Sequence, residues 1–386
     1  MSTDHSAETT HLAGRPVIAL DARLIGYAAG IARYAALLAE ALAHIDGPER
    51  YLIVRGRRAH QAKVGGEGAI QRQVMTPPHH RLERWSLPIE LLAQRPRPHL
   101  LHSLDHVAPA WGPWRSVVTL HDLAFLLYPQ THTPASRAYY ASTGESVRRA
   151  ERVIAVSQRT ASDAVRLLGL DPVRVRVVHE AAAPAFGPRR RQDLEALAER
   201  LRLDVDPRRP YILFVGTLEP RKNVPLLLEA FSLVRRNLDA QLLLVGARAW
   251  LEQPIFEAHA RAAVGETARF LGTLAEDDLA SLYSHAGVFV LPSLYEGFGL
   301  PLLEAMTCGA PVVCSNAGSL PEVAGDAAVL LPPNDSRAWA DAMLQVVTDS
   351  HRADALRLRG FVRAKAFSWE RAAQATREVY REALLA

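Results

Sequence analysis

Ser293-Leu294-Tyr295-Glu296-Gly297-Phe298-Gly299-Leu300-Pro301-Leu302-Leu303-Glu304-Ala305-Met306-Thr307-Cys308-Gly309 is the stretch on which the reading of this chain turns. The apolar run Val288-Phe289-Val290-Leu291 precedes it and reads as a buried strand. Pro301 suits the first position of a helix, and Gly309 with Pro311 suits its end. The stretch is therefore a strand–turn–helix unit. Two glycines flank Phe298, where the backbone must come close to something. The free N–H groups of a helix start form an anion site, with phosphate as the natural occupant. Glu296 and Glu304 stand eight residues apart, one just before the helix and one in its first turn, so both can face one cleft. The alternative is plainer: Glu304 is an acidic residue favoured by the helix dipole, and Glu296 a loop surface charge.

Outward from this unit, strands and helices alternate. In the second half, strands are expected at 211–215, 241–245, 269–271, 288–291, 312–315 and 328–331. Helices are expected at 224–236, 276–284, 301–307, 336–348 and 351–366, with a closing helix at 368–385. In the first half, strands are expected at 16–20, 51–54, 100–102, 116–120, 153–156 and 175–178. Helices there fall at 31–43, 136–150 and 160–168. Such alternation implies parallel sheets with helices on both faces. The chain of 386 residues is too long for one ordinary core. The organisation expected is a polar tail at 1–14, a first α/β domain at 15–186, a connection at 187–210 and a second α/β domain at 211–367. The closing helix, 368–386, is expected to pack back on the first domain. Two doubly wound units facing each other leave a deep central cleft, and ligands in such sheets sit beyond the carboxyl ends of the strands.

Three further segments bear on chemistry. Phe214-Val215-Gly216-Thr217-Leu218-Glu219-Pro220-Arg221-Lys222-Asn223 spans a strand end and the turn after it. Arg221 and Lys222 stand where a helix begins, and cations there oppose the dipole. An anionic ligand resolves the conflict, and the pair would clamp a diphosphate; the alternative is a solvated basic turn. Thr119-Leu120-His121-Asp122 puts a His-Asp pair at a strand end, where His121 can donate to a phosphate or a sugar hydroxyl. A lone His-Asp pair is structural more often than catalytic. Asp21-Ala22-Arg23-Leu24-Ile25-Gly26-Tyr27-Ala28-Ala29-Gly30-Ile31-Ala32-Arg33-Tyr34 follows the first strand. Its glycines are spaced GxxxG, so it is not the dinucleotide fingerprint, which disfavours a nicotinamide dehydrogenase.

The net charge of +4 conceals an asymmetry. Residues 1–200 hold 26 Lys+Arg against 19 Asp+Glu, or +7, and the remainder holds 19 against 22, or −3. A basic half suits an anionic membrane or a phosphorylated acceptor, or is simply an Arg-rich surface. Pro77-Pro78-His79-His80-Arg81-Leu82-Glu83-Arg84-Trp85 mixes basic and aromatic residues. It reads as a membrane-surface patch, a cleft wall or core. No reading module for nucleic acid is present. The two cysteines, Cys308 and Cys314, lie in apolar surroundings and read as buried thiols. No apolar run reaches the ~20 residues that span a bilayer, and 1–14 lacks a signal core, so a cytoplasmic location is expected.

Taken together, these segments resemble the retaining GT-B glycosyltransferases called group 1 or family 4. The string EGFGLPLLEA (296–305) matches that family's E-x7-E signature, and FVGTLEPRKN (214–223) its donor-phosphate loop. The His-Asp pair, AGIARY (29–34) and the closing FSWERAAQATREVYREAL (367–384) resemble the bacterial mannosyl- and rhamnosyl-transferase branch. The resemblance implies that Arg221 and Lys222 hold the donor diphosphate and that amides of Gly297, Phe298, Gly299 and Leu300 hold the distal phosphate. It implies that Glu304 binds ribose, Glu296 the transferred sugar, and His121 both sugar and phosphate. Gly216 shapes the phosphate loop, Gly30 approaches the phosphates on closure, and Leu271 and Gly272 contact the base. Catalytic roles thus fall on His121, Glu296, Arg221 and Lys222. Two departures bear on the acceptor side: Gly30-Ile31-Ala32-Arg33-Tyr34 replaces Gly-Ile-Gly-Arg-Tyr, and His179-Glu180-Ala181-Ala182 replaces a Pro-Asn-Gly segment.

The function expected is transfer of a hexose, mannose favoured, from a nucleotide-sugar such as GDP-mannose to a glycan or lipid-linked acceptor in cell-surface polysaccharide or glycolipid synthesis. Retention and independence of a metal or cofactor are expected with it. Asp204-Val205-Asp206 lies in the connection and reads as a loop, not a metal site. Two other functions fit the same architecture, a sugar-nucleotide epimerase and a sugar-nucleotide-binding subunit without turnover.

Overall fold

The computed structural model describes residues 15–27, 30–57, 64, 68–206 and 208–386. The tail at 1–14 and Ala28–Ala29 of the glycine-containing loop lie outside the described residues.

Two sheets are built, and every strand pairing in both is parallel. The first comprises β1 (Val17–Asp21), β2 (Arg50–Arg55), β3 (Ile70–Gln73), β4 (Leu100–Ser103), β5 (Arg115–Leu120), β6 (Arg152–Ala155) and β7 (Val175–Val177). The second comprises β8 (Tyr211–Val215), β9 (Gln241–Val245), β10 (Ala268–Gly272), β11 (Val288–Leu291), β12 (Val312–Ser315) and β13 (Ala328–Leu331). Their orders are β3-β2-β1-β4-β5-β6-β7 and β10-β9-β8-β11-β12-β13. In each sheet the strand order reverses once, between β1 and β4 and between β8 and β11. Those crevices are where a doubly wound sheet binds its ligand.

The central strands are buried on both faces because helices cover both. All five residues of β1, β8 and β9 are buried. A strand so placed must be apolar throughout rather than alternating. β3 is different: Ile-Gln-Arg-Gln, at the sheet edge, has one apolar residue, and no sequence signal marks it. The helix Glu83–Leu92 is a further element beyond those expected; Pro88 interrupts its pattern, yet Leu87 and Leu91 are buried against β1 and β2. The single helix expected at 136–150 is two, Pro134–Tyr140 and Thr143–Arg149, broken at Ala141–Ser142. Residues 187–210 carry a helix, Arg191–Leu201, whose Leu194, Leu197 and Ala198 enter the second core.

The last helix, Trp369–Leu385, lies against the first helix, Gly30–His44, and against β5 and β6. Its Tyr380 is fully buried and shares a hydrogen bond of 2.7 Å with Nδ1 of His102. Nε2 of His102 pairs with the Thr119 hydroxyl at 2.7 Å, and that hydroxyl pairs with Tyr34 at 3.1 Å. Burial pulls the His102 imidazole down to about 3, so the ring is neutral. Tyr380→Phe removes one partner and leaves a buried ring nitrogen unpaired, so a loss of about 1–3 kcal/mol is expected on urea unfolding. An unchanged midpoint would show that water or a shift in packing replaces the bond.

Cys308 and Cys314 are buried and unpaired. Among the described residues, no helix is long and apolar enough to cross a membrane.

Candidate active site

At the β8 carboxyl end the chain turns through the short 3-10 helix Pro220–Lys222 before entering the helix Val224–Val234. Arg221 and Lys222 therefore precede the helix rather than open it. Asn223, left-handed at φ 56°, makes the reversal, and its amide donates to the carbonyls of Pro292 and Pro333. Across the crevice, β11 leads into the Glu296 loop and then the helix Leu300–Cys308. Gly299 precedes that helix at φ 101°, and a Cβ there would come within 2.7 Å of Leu320. Glu304 sits one full turn into the helix rather than in its first turn.

The two turns meet through charge. Lys222 Nζ donates to Glu296 Oε1 at 2.6 Å, and Arg221 to Glu296 Oε2 at 3.0 Å and to the Tyr295 carbonyl at 2.7 Å. The Ser293 hydroxyl donates to Glu296 Oε1 at 2.5 Å, and Arg221 also holds Glu219 at 2.7 Å. Glu296 is only 6% exposed, so it is not a surface charge. Burial alone would raise its carboxyl, but Lys222 and Arg221 outweigh burial and bring it down to about 2. The lysine stem passes within 3.5 Å of the space a side chain on Gly216 would fill.

Glu304 is 2% exposed and faces the first domain. Arg33, from the first helix, donates to its Oε1, and Tyr283 donates to Oε2 at 3.2 Å. Arg33 also pairs with Glu276 at 3.1 Å. Burial raises the Glu304 carboxyl to about 7, against the opposing pull of Arg33 and Tyr283. A carboxyl raised above its ordinary 4.5 stabilises the fold below that pH and loses the contribution as pH rises through about 7. Wild type should therefore lose stability between pH 5 and pH 8 relative to Glu304→Gln, compared by urea unfolding. Parallel pH profiles would contradict the assignment.

His121 follows β5. Its Nδ1 pairs with Glu180 at 3.2 Å and its Nε2 with the Leu104 carbonyl at 2.9 Å. Tyr34 meets its ring edge-on at 4.7 Å. Burial lowers the imidazole, but the Glu180 carboxylate more than compensates and leaves it raised. Glu180 lies in the segment that departs from the family pattern. No local signal marks it as a partner, because only the fold brings it to His121.

The units touch here. A Cβ on Gly297 would lie 1.7 Å from the His121 carbonyl oxygen, so the two backbones are in direct contact. The Gly297 carbonyl accepts from Ser157 at 2.6 Å and Thr160 at 3.2 Å, and Tyr295 donates to Asp163 at 2.9 Å. Glu322 accepts from the backbone N–H of Gln158 at 2.9 Å and pairs with His179 at 2.7 Å. The structure thus brings His121, Arg221, Lys222, Glu296, Gly297 and Phe298 together. Gly30 is exposed at the start of the first helix. Leu271 and Gly272 end the edge strand β10, two strands from the crevice. Asp204 is held by Arg209 at 3.0 Å, and among the described residues no acidic, His or Cys group is arranged to hold a metal ion.

With this geometry in view, the comparisons are specific. Residues 198–361 match the model for glycosyl transferases group 1, and residues 28–186 that for glycosyltransferase family 4. The chain is 35% identical to an O-antigen chain mannosyltransferase B of Escherichia coli, over 78% of each protein. It is 29% identical to a D-inositol 3-phosphate glycosyltransferase of Rhodococcus jostii, over 87% of this chain and 81% of that one. Serotype-specific mannosyltransferases WbdA of Escherichia coli match 67% of the chain, which spans about a third of their length. The chain belongs to the group 1, family 4 glycosyltransferases, and it is an enzyme of that class. Its fold is GT-B: sucrose-phosphate synthase of Thermosynechococcus elongatus superposes with TM-score 0.74 over 95% of the chain at 23% identity. HepE of Anabaena, solved with UDP and glucose, gives 0.75 over 95% at 20%.

Proposed function

We propose that the chain transfers mannose from GDP-mannose, with retention and without a metal, to a growing glycan or a lipid-linked acceptor in cell-surface polysaccharide synthesis. The observation that carries the donor side is the buried Lys222–Glu296–Arg221 cluster at the β8/β11 crevice, beside a helix start. Departure of a nucleoside diphosphate builds negative charge. Two pre-placed cations and the amides of Gly297, Phe298, Gly299 and Leu300 stabilise it without reorganising. Glu296 holds both cations in register and, in this reading, touches the transferred sugar. Glu304 takes the ribose hydroxyls, with Arg33 yielding or sharing that carboxylate. Gly216, Leu271 and Gly272 line the nucleotide's path. His121, held by Glu180, stands on the far wall beside the reacting carbon.

Mannose is favoured by the O-antigen mannosyltransferase relative, and nothing in the donor turn conflicts with it. In this reading attack comes on the face the phosphate leaves from, with no enzymic nucleophile assigned among the described residues. Exposed Leu82, Trp85 and Ile89, along one helix and its cap, support a peripheral membrane contact and a lipid-linked acceptor. Calorimetry with GDP, UDP, dTDP and ADP, with and without a chelator, tests the donor side. Tight, chelator-insensitive binding of GDP alone is expected; preference for another base removes GDP-mannose, and loss of binding with chelator removes metal independence.

A further inference from the structure

At the carboxyl edge of the first sheet, next to His121, is a second cluster of polar side chains that the donor chemistry does not use. His79 pairs with Asp105 through Nε2 at 2.9 Å, and its ring lies 4.6 Å from that of Tyr139. Tyr139 donates to Glu83 at 2.7 Å, and Glu83 accepts the His79 backbone N–H at 3.0 Å. His79 holds a left-handed backbone at φ 60°, a strain the surrounding bonds must maintain. The cluster is open at one end, since 44% of the His79 side chain is exposed.

Two observations point to a ligand. His106, only 3% exposed, has its Nδ1 buried with no hydrogen-bond partner, while its ring lies 5.8 Å from His121 and 5.2 Å from Tyr140. The Ser103 hydroxyl, buried at the end of β4 opposite Asp21, is also unpartnered. Buried polar atoms are rarely left so, and each one calls for an explanation in strain or in function. Ser103 ends β4 at the β1/β4 crevice, where this sheet's strand order reverses, and His106 follows it three residues on, against His121.

We propose that this cluster, His79, Asp105, Tyr139 and His106, receives the acceptor, and that the acceptor end it takes is an uncharged sugar with several free hydroxyls, not a phosphorylated one. The inference rests on the glycosyltransferase reading above and adds the acceptor's chemistry to it. Charge decides the class. Asp21, Glu83 and Asp105 face Arg23 and His79. Arg23 is saturated: Asp21 takes it twice at 2.7 Å, Glu83 at 3.3 Å, and the Thr76 and Pro77 carbonyls at 3.3 and 3.2 Å. Arg84, on the neighbouring helix, is turned onto Glu145 and the Ala108 carbonyl, and His80 and Arg81 stand exposed beyond. A phosphate here would meet three carboxylates, with Arg23 taken up by Asp21 and Glu83 and Arg84 held by Glu145 with only its Nη2 unpartnered, whereas sugar hydroxyls find carboxylate acceptors and ring nitrogens. Tyr140 is already stacked on Phe125 at 5.1 Å, which leaves Tyr139, beside His79, as the aromatic ring of the cluster.

The test titrates full-length protein, labelled with nitrogen-15 in histidine, with neutral α-linked mannobiose and separately with mannose 6-phosphate. Mannobiose should move the His79 and His106 signals, and mannose 6-phosphate should bind at least about tenfold more weakly. His79→Asn tolerates the left-handed backbone but is too short to reach Asp105; it and Asp105→Asn should each weaken mannobiose about tenfold or more, with GDP affinity within twofold of wild type. Circular dichroism checks the fold of both, and if Asp105→Asn unfolds, His79→Asn decides. No mannobiose binding by wild type, unchanged binding by folded His79→Asn, or equal binding of the phosphorylated sugar each overturns the proposal. Absence of GDP binding alongside intact mannobiose binding would instead sink the donor reading.

Discussion

Lys222→Ala is expected to lower release of nucleoside diphosphate from GDP-mannose by about 10²–10³-fold, the range seen when one pre-placed stabilising donor is removed. The lysine is 6% exposed and contacts Glu296 at 2.6 Å, so its charge is fixed and largely desolvated before the donor arrives. Such a charge is worth more than one in water and need not reorganise as the phosphate leaves. Glu296 keeps Arg221 at 3.0 Å and Ser293 at 2.5 Å in this variant, so its carboxylate is not stranded and the loss of stability should stay below the about 3–5 kcal/mol of a fully broken buried pair. Urea unfolding of the variant separates a folding defect from a turnover defect: the donor-phosphate role predicts that turnover is lost at conditions where the variant is still folded. Wild-type turnover in the variant would end the assignment.

Gly297→Ala should be nearly as damaging, for a steric reason. The added Cβ would lie 1.7 Å from the His121 carbonyl oxygen and 2.8 Å from Asp122 Cβ, and neither atom can move without the strand end behind it. The units must therefore separate locally, which breaks the bonds from Ser157 and Thr160 to the Gly297 carbonyl. Misplacing reacting groups by about 1 Å can cost about 10²-fold, and turnover should fall by at least that much. Nucleotide affinity should change far less, because Arg221 and Lys222 belong to one unit. Small-angle scattering should show a larger radius of gyration. Unaltered turnover would mean that the contact between Gly297 and His121 is dispensable for transfer.

The basic turn and the glycine-rich helix start are legible in the amino-acid sequence because their signals are local. Gly216, Arg221 and Lys222 lie within seven residues, and Glu296 and Glu304 within nine. Strands β8, β9, β11 and β12 fall where their apolar runs place them, since a strand covered on both faces must be apolar end to end, and β13, half-buried at the sheet edge, is marked by its own apolar run Ala328–Leu331. β3 escapes such a reading for the converse reason: at an edge, backbone pairing to β2 forms the strand, and Gln71, Arg72 and Gln73 carry no pattern. The helix Glu83–Leu92 is hidden by Pro88.

The partners of the site residues are not legible in the same way, and the reason is distance along the chain. Arg33 reaches Glu304 across 271 positions, His121 meets Glu180 across 59, and Tyr380 meets His102 across 278. Each pair forms because two sheets and a returning helix close on one another, a consequence of core packing that no local pattern encodes. Local pattern is enough for two parallel doubly wound sheets and for a turn of two cations facing a glycine-rich helix start, because backbone geometry and burial act within a few residues. It takes the packed chain to hold Glu296 between those cations, to raise Glu304 by burial and share it with Arg33, and to gather His79, Asp105 and His106 beside His121. Those are properties of desolvation and of through-space charge, which exist only once distant segments are packed together.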